Sequence, residues 1–427
     1  MYNDQITEIA QSLILQFQHP QIPVEYARYL QYALFFIIPC LLALVLTPII
    51  GKIANDLDIR NDTKTFTKNK LNRYENNSRR VKKTRIPLLG GLAVILPLLV
   101  LIPLFFGFNE ITIPILIAIS ILTIAGIIDD IYNLPGSIQL LAQLAAAFIF
   151  AASVVNLEVI KIPFDGFIDL SMYTWNGNIM GLPWEFVFPG DLIAMFWVVV
   201  AINAIKWVSG LDALMESNLI VGFFMIFIIA ARGEAALVLL LSAMLTGGLA
   251  GFTFYNFPPA KIMSAATGKT VYGFLVAALA LLNDTKLAIT ILIMLLPLVD
   301  FLFVVTKRFI VNRPKSFKET ILTPFRLLRI SDTNHIHHQL LKLGFSTKQI
   351  LLLETSITLL AGSIAVLTTE AYRLFFILVG GTLMLLFLTI LHVKTSKIQK
   401  PVEEKEDKPE KRPPEPPKGS PESRYSY

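Results

Sequence analysis

Long apolar runs constrain this chain more than any other feature of its sequence. Two typical runs are DLIAMFWVVVAI, which begins at Asp191, and LIVGFFMIFIIAA, which begins at Leu219. Several runs reach about 18 residues, which is enough for a helix to cross about 30 Å of hydrocarbon. Hydrophobic residues make up 54% of the 427 residues and charged residues only 16%, whereas soluble domains contain about 25% charged residues. The sequence therefore predicts an all-α, polytopic membrane protein.

The positions of these runs predict about eleven transmembrane spans within a membrane domain that covers residues 29–392. The spans lie near residues 29–50, 86–106, 111–128, 138–155, 190–208, 213–231, 235–254, 270–282, 286–306, 349–368 and 372–392. Residues 1–28 are predicted to form a short interfacial segment, without the basic region of a cleaved signal peptide. Residues 393–427 are rich in Lys, Glu and Pro, which predicts a disordered, charged tail.

The basic residues of the loops predict how the chain is oriented. Lys and Arg are concentrated in residues 51–85 and 307–348, whereas residues 156–189 contain only Lys161. By the positive-inside rule, both basic loops and the tail lie in the cytoplasm and the N-terminus lies outside, as expected of a multi-pass protein of the cytoplasmic membrane. These loops account for the net charge of +6, so nucleic-acid binding is not predicted. The single cysteine, Cys40, excludes a disulfide within the chain.

Five polar motifs fall on the cytoplasmic side under this orientation. They are GGLAV, DDIYNLPGS, NAIKWVSGLDAL, YNFPPAKIMSAATGK and NHIHHQLL. Polar residues at the ends of apolar spans are costly unless they are paired or used. We therefore expect the five motifs to come together in one site.

Asp129 and Asp130 form an adjacent carboxylate pair at the end of a predicted span. Two like charges in this position need a proton or a cation between them. Because Mg²⁺ favours one or two carboxylates together with phosphate oxygens, the pair predicts a site for Mg²⁺ and a phosphate. The alternative is a solvated helix end, although negative charge at a helix C-terminus opposes the helix macrodipole.

Three of the five histidines lie close together, at His335, His337 and His338. Helical spacing places His335 and His338 on one face and His337 on another. The group could bind zinc, although no cysteine and few carboxylates lie nearby. Alternatively, the imidazoles could bind a pyrophosphate or a uracil.

Two glycine motifs are less specific. The run Gly268-Lys269-Thr270 matches the end of a P-loop but lacks the first glycine and the preceding strand of that motif. The pair Gly90-Gly91 fits close helix packing as well as it fits a function. Neither motif alone predicts a ligand.

Taken together, the motifs resemble those of the polyprenyl-phosphate N-acetylhexosamine-1-phosphate transferase family, of the glycosyltransferase family 4 type. The resemblance covers roughly residues 30 to 345, is most specific in SDTNHIHHQLLKLGFS, and includes LPLVD, which ends at Asp300. It implies a membrane enzyme that transfers a sugar-1-phosphate from a UDP-sugar to a polyprenyl phosphate carrier and releases UMP. Such an enzyme uses Mg²⁺ and serves cell-envelope polysaccharide or peptidoglycan synthesis, and a homodimer is a family-level expectation.

The resemblance also implies roles for residues of this chain. Asp129 and Asp130 would engage the metal and the carrier phosphate, and His337 would join them in catalysis. The apolar groove between spans would take the polyprenyl chain. The implied substrate-binding residues are Asn203, Asp212, Asn256, Lys261, His335 and His338.

The chain departs from the family pattern at several of these motifs. Lys206 replaces an asparagine, Ser209 an aspartate and Ala213 a glycine, and Ala266 stands where the family has an aspartate implicated in Mg²⁺ binding. Three cations of the pattern are replaced by neutral residues, namely Gln139, Leu88 and Thr333. The changes at Ser209 and Ala266 weaken the predicted Mg²⁺ site. The added cations Lys206 and Lys269 could replace part of the metal's charge.

Two kinds of function are therefore open. The chain is either a working transferase or a catalytically degenerate paralogue that binds lipid phosphate or nucleotide and acts as a regulatory or assembly partner. A secondary transporter is a third class, but its binding site would lie near the bilayer midplane. The polar motifs of this chain lie at the ends of spans instead.

Overall fold

The computed structural model describes residues 24–61, 85–162, 166–179, 181–233, 235–282, 287–311 and 335–406. Most of the predicted interfacial segment 1–28 lies outside the described residues. So do Thr333 and much of the two predicted basic loops.

Helices account for most of the described residues, which confirms the predicted all-α membrane architecture. In lipid, a helix satisfies every backbone N–H and C=O group within its own segment, so apolar runs adopt it. A π-helical turn, Ala151–Val155, continues the fourth helix. In chain order the described helices are α1 (Val24–Asp56), α2 (Leu92–Phe106), α3 (Thr112–Tyr132), α4 (Gly136–Phe150), α5 (Gly190–Val208), α6 (Leu214–Ala230), α7 (Ala236–Asn256), α8 (Ala265–Leu281), α9 (Leu287–Ile293), α10 (Leu295–Val311), α11 (Ile336–Lys342), α12 (Thr347–Leu367) and α13 (Glu370–Glu406).

Short strands form three antiparallel pairs within the described ranges. They are β1 (Arg60–Asn61) with β2 (Ile86–Pro87), β3 (Val159–Ile162) with β4 (Gly166–Asp169), and β5 (Ser171–Ile179) with β6 (Leu182–Pro189). In the β5–β6 pair, Trp175 lies opposite Phe186 and Ile179 lies opposite Leu182. Strands β3 to β6 connect α4 to α5, so they lie at the end of these helices away from Asp129.

Seven of the described helices are long and apolar enough to cross a membrane, namely α1, α3, α4, α5, α7, α12 and α13. Helices α9 and α10 pass the same test as a pair bent by 77°, which would make an eighth span. Each of the predicted spans overlaps one of these helices or one of the shorter apolar helices α2, α6 and α8. The chain is thus a multi-pass membrane protein, while the total of eleven spans stays a prediction.

Two helix boundaries differ from the predicted ones. Helix α8 begins at Ala265, ahead of the span predicted from residue 270. Helix α13 continues to Glu406, so the first part of the tail predicted from residue 393 is helical. Residues 407–427 lie outside the described residues.

Helix α7 forms the centre of the bundle. Of its apolar window, 83% is buried, against 17% for α13. It packs against α1 and α6, and a Cβ atom on Gly247 would overlap the backbone oxygen of Phe36 in α1. Helix α13 therefore leaves most of its apolar window exposed on the outside of the bundle.

Glycines bring α2 and α3 against the start of α8. A Cβ atom on Gly91, at the N-terminus of α2, would overlap the backbone of Gly268 in α8. A Cβ atom on Gly126 of α3 would overlap the backbone of Thr267. Gly91 therefore allows close helix packing, which is one of the two roles considered for the Gly90-Gly91 pair. Gly268 takes part in the same contact.

Replacing Gly91 by alanine is expected to destabilise the protein, because the added methyl group would meet backbone atoms that cannot turn aside. We expect a loss of about 1–3 kcal/mol, as for other overpacked cores, measured as a lower thermal unfolding temperature in detergent. Gly381→Ala in α13 is the matched control, since nothing lies within 4 Å of its Cβ position. Equal effects of the two variants would contradict the close contact.

Candidate functional site

The five polar motifs meet at one end of the helix bundle, as expected from the sequence. The N–H group of Gly90 donates to the backbone oxygen of Met263 at 2.9 Å, which joins the first motif to the fourth. Asp130 of the second motif also bonds the fourth. Gly210 of the third motif lies directly against the His337 ring of the fifth. Ala213 of the third motif donates to Asn256 of the fourth, so these contacts make one contiguous site.

The Asp130 carboxylate caps the N-terminus of α8. Its Oδ1 atom accepts the N–H of Ala266 at 2.7 Å, and its Oδ2 atom accepts the N–H of Thr267 at 3.1 Å and the Thr267 hydroxyl at 2.6 Å. The N-cap residue Ser264 makes no side-chain capping bond, so α3 supplies the acceptor that the first turn of α8 needs. Its negative charge also complements the macrodipole of α8. A residue predicted to hold a metal and a phosphate thus joins two helices.

Asp129 is the start of a polar chain that crosses three helices. Its Oδ1 atom accepts the N–H of Leu134 at 2.8 Å and the side-chain amide of Gln139 at 2.9 Å. The Oε1 atom of Gln139 accepts in turn from the Lys206 ammonium group at 2.5 Å. Gln139 and Lys206 are two of the departures from the family pattern, and the structure places them in direct contact. Their contact links a carboxylate of α3 to an ammonium group of α5.

Two further charged residues lie at this cluster. Lys269 of α8 interacts electrostatically with Asp130, Glu216 and Asp129. The Glu216 carboxylate accepts a 2.5 Å hydrogen bond from the Ser264 hydroxyl and is 4% exposed. Glu216 was not identified from the sequence, although a carboxylate inside an otherwise apolar helix is a recognisable sign of function. We call this group the charge cluster; it comprises Asp129, Asp130, Glu216, Lys206 and Lys269.

Two residues implied to bind substrate hold helices and loops together. The side-chain amide of Asn203 donates to the Gln143 side chain at 2.7 Å. Asn256 accepts the N–H of Ala213 at 2.8 Å and donates to the backbone oxygen of Ile262 at 2.7 Å. These bonds fix the third and fourth motifs beside each other. Contacts of the two asparagines with a substrate stay predictions.

The loop after α5 is fastened in a similar way. Asp212 accepts the N–H of Ala260 at 3.1 Å, while the next residue, Lys261, has an exposed side chain. Ser209, which replaces an aspartate of the family pattern, donates its hydroxyl to the backbone oxygen of Lys206 at 2.6 Å. The structure therefore places Asp212 and Lys261 at the edge of the site. Their role in substrate binding stays a prediction.

Asp300 orients the first histidine of the fifth motif. Its Oδ2 atom lies 2.7 Å from Nδ1 of His335, and its Oδ1 atom accepts the N–H of Ile336 at 3.0 Å. The His335 ring also meets the Trp207 ring, with 5.2 Å between centroids, and Arg308 lies 4.5 Å above Trp207. Asp300 had no predicted role. It fixes both the His335 ring and the start of α11.

His337 belongs to the same ring cluster as the other two histidines, contrary to the predicted separation. Its ring lies 5.8 Å from that of His335, nearly parallel to it, and 4.4 Å from that of His338. The helical spacing rule fails here because His335 precedes α11 in an extended conformation. Burial, together with the neighbouring His338 and His335 rings, holds the pKa of His337 well below its usual range. The ring is therefore neutral at neutral pH and can donate one hydrogen bond and accept another.

The donor set fits a metal ion poorly. Among the described residues, no group of three or more His, Cys, Asp or Glu could hold a metal. Three of the four oxygens of Asp129 and Asp130 already accept hydrogen bonds from protein groups. Ser209 and Ala266 supply no carboxylate, and the Lys206 ammonium interacts electrostatically with both aspartates. Mg²⁺ needs one or two available carboxylates beside phosphate oxygens, whereas these contacts leave at most one oxygen of the aspartate pair without a protein hydrogen bond.

The stability of the protein should fall as the pH drops below about 6.5, the usual pKa of an exposed histidine. Burial keeps the pKa of His337 lower than this in the folded protein. Between the two pKa values the unfolded state binds more protons, so the free energy of unfolding falls by up to about 1.4 kcal/mol per pH unit. Thermal unfolding at decreasing pH should show a smaller drop for His337→Gln than for the wild type. Parallel curves would argue against a buried, neutral His337.

Known proteins are similar to this chain over much of its length. The family model described as glycosyl transferase family 4 matches residues 112–284. A probable undecaprenyl-phosphate N-acetylglucosaminyl 1-phosphate transferase of Bacillus subtilis is 27% identical over 327 residues, 75% of this chain and 80% of that protein. Phospho-N-acetylmuramoyl-pentapeptide-transferases of Acetivibrio thermocellus and Staphylococcus aureus are 28% and 27% identical, over 65% and 68% of this chain and 80% and 88% of their own lengths. With its membrane helices and its polar motifs, the chain is thus similar to glycosyl transferase family 4 over residues 112–284 and to these transferases over most of its length.

Proposed function

We propose that this chain transfers a sugar-1-phosphate of the N-acetylhexosamine class from a UDP-sugar to a polyprenyl phosphate and releases UMP, as a step in cell-envelope synthesis. The observation that carries the proposal is the charge cluster at the ends of apolar helices. The Bacillus subtilis relative is by name a probable undecaprenyl-phosphate N-acetylglucosaminyl 1-phosphate transferase. This name supports both the class of the donor and the class of the acceptor.

An apolar surface leads along α3 towards the charge cluster. Ile124, Ile128 and Ile131 expose 58%, 39% and 42% of their surface. Their spacing places them along one side of the helix, which ends just beyond Asp129. A polyprenyl phosphate has an apolar chain and a charged head. It could therefore lie along α3 with its phosphate at the charge cluster.

In the proposed reaction, an oxygen of the carrier phosphate attacks the β-phosphorus of the UDP-sugar. A P–O bond to the carrier forms, the bond between the β-phosphorus and the bridging oxygen breaks, and UMP leaves with that oxygen. Such a transfer depends on positioning and on stabilising phosphate charge. Lys206 and Lys269 would hold the phosphate oxygens, and Asp129 orients Lys206 through Gln139. The neutral His337 would hydrogen-bond the nucleotide sugar.

We also propose that the site faces the cytoplasm. The described ends of the basic segments 51–85 and 307–348 lead into the site end of the bundle, because β2 runs directly into Gly90 and the second segment contains the histidines. The positive-inside rule places such segments in the cytoplasm. The C-terminus would then lie on the same side and the N-terminus outside.

A second candidate function is a degenerate paralogue that binds lipid phosphate without transferring a sugar. The specific observation in its favour is that Asp130 is committed to capping α8. The neutral residues Ser209 and Ala266 add to it, because they remove two carboxylates of the family pattern. Under this candidate the charge cluster would retain a phosphate ligand but lack turnover.

Purified full-length protein should release UMP when it is given undecaprenyl phosphate and a suitable UDP-N-acetylhexosamine, tested with and without Mg²⁺. Asp129→Asn should lower the rate about 10²–10³-fold, the usual cost of one preorganised stabilising group. The measurement is UMP release across a panel of UDP-N-acetylhexosamines.

Asp169→Asn is the matched control, because Asp169 is exposed on β4 and bonds the neighbouring Ser171. It should leave the rate unchanged. No UMP release with any donor, combined with undecaprenyl phosphate binding that requires Lys206, would instead favour the second candidate.

A further inference from the structure

Two lysines of the protein interact electrostatically with the aspartate pair. Lys206 of α5 interacts electrostatically with both Asp129 and Asp130. Lys269 of α8 interacts with the same two carboxylates. Adjacent carboxylates repel each other and need positive charge nearby. The two lysines supply that charge from two different helices.

The Lys206 ammonium group is held in a defined position. It donates to Oε1 of Gln139, whose Nε2 atom donates to Asp129 at 2.9 Å and to the backbone oxygen of Leu134 at 3.0 Å. The orientation of the Gln139 amide is thus set by a carboxylate at one end and an ammonium group at the other. A charge fixed in this way needs little rearrangement when an anion arrives.

A divalent ion at the aspartate pair would conflict with these contacts. Both oxygens of Asp130 accept hydrogen bonds from the first turn of α8. An ion that took them would leave the N–H groups of Ala266 and Thr267 without their acceptor. Two ammonium groups that interact electrostatically with the pair would also repel the ion, most strongly where little water screens them.

We infer that Lys206 and Lys269 take the place of a divalent metal ion at the Asp129–Asp130 pair, and that the site binds a lipid phosphate without a metal. Lysine is a common phosphate ligand and acts as a point charge, without the geometric demands of a metal. That the bound phosphate belongs to a lipid rests on the proposed function. That no metal binds at the aspartate pair is independent of the proposed function.

Mn²⁺ binding tests the first half of the inference without any turnover. Mn²⁺ prefers the same oxygen ligands as Mg²⁺, and electron paramagnetic resonance reports its bound fraction on the purified full-length protein. We expect the wild type and Asp129→Asn to bind the same amount of Mn²⁺. A wild type that binds one more ion per chain than Asp129→Asn would overturn the inference.

Binding of undecaprenyl phosphate in the presence of EDTA tests the second half. The wild-type affinity should change less than about twofold on adding EDTA, and Lys206→Met should weaken binding at least about tenfold. Lys206→Arg, which keeps the charge, should retain most of the affinity. Lys52→Met, at an exposed lysine of α1, is the matched control and should bind like the wild type.

The inference would be overturned if the wild type lost undecaprenyl phosphate binding in EDTA. It would also be overturned if Lys206→Met bound undecaprenyl phosphate as tightly as the wild type does. Failure of the proposed function has a different signature. In that case UMP would not be released with any donor, while undecaprenyl phosphate would still bind in EDTA and still require Lys206.

Discussion

The carboxylate of Asp130 completes the first turn of α8, and the arrangement of the site depends on this set of hydrogen bonds. Backbone N–H groups that face neither water nor an acceptor are costly near lipid. The segment before α8 cannot supply the acceptor, because Ser264 makes no capping bond and Ala265 adopts a left-handed conformation. A side chain from α3 supplies it instead. The start of α8 is therefore positioned by another helix, which brings Lys269 to the aspartate pair.

A second group of contacts joins the charge cluster to the histidines. Lys206 is bound to Gln139 on one side, and its chain neighbour Trp207 meets the His335 ring on the other. Gly210 then abuts His337. The end of α5 thus has the charge cluster on one side and the histidine rings on the other. This division suits a substrate that combines phosphates with a polar, uncharged nucleobase and sugar.

Much of the fold could be predicted because backbone groups in lipid must form hydrogen bonds within the protein, which leaves few possible structures. Apolar runs of sufficient length become helices, and polar motifs at their ends lie outside the hydrocarbon at one end or the other of the bundle. What could not be predicted depends on contacts between distant residues. The bond between Gln139 and Lys206 joins positions 67 residues apart, and that between Asn256 and Ala213 joins positions 43 apart. No local pattern encodes either one.

The histidines show a different reason for failure. Their spacing was interpreted with the geometry of a helix, yet His335 lies before α11 and is oriented by Asp300. The start of α8 was placed too late for a related reason. The residues after Ala265 are small and polar rather than apolar, and the acceptor that stabilises them lies on α3. In both cases a tertiary contact outweighed the local sequence signal.

The length of α13 has a mechanical consequence. Its 37 residues extend about 55 Å at 1.5 Å per residue, well beyond a hydrocarbon layer of about 30 Å. In its C-terminal part, Thr395 lies 3.4 Å from the side chain of Gln339, which follows His338 in the chain. The C-terminal part of α13 is thus in direct contact with the segment that carries the histidines. A force applied to the C-terminal part of α13 would therefore reach the histidine loop through a continuous helix.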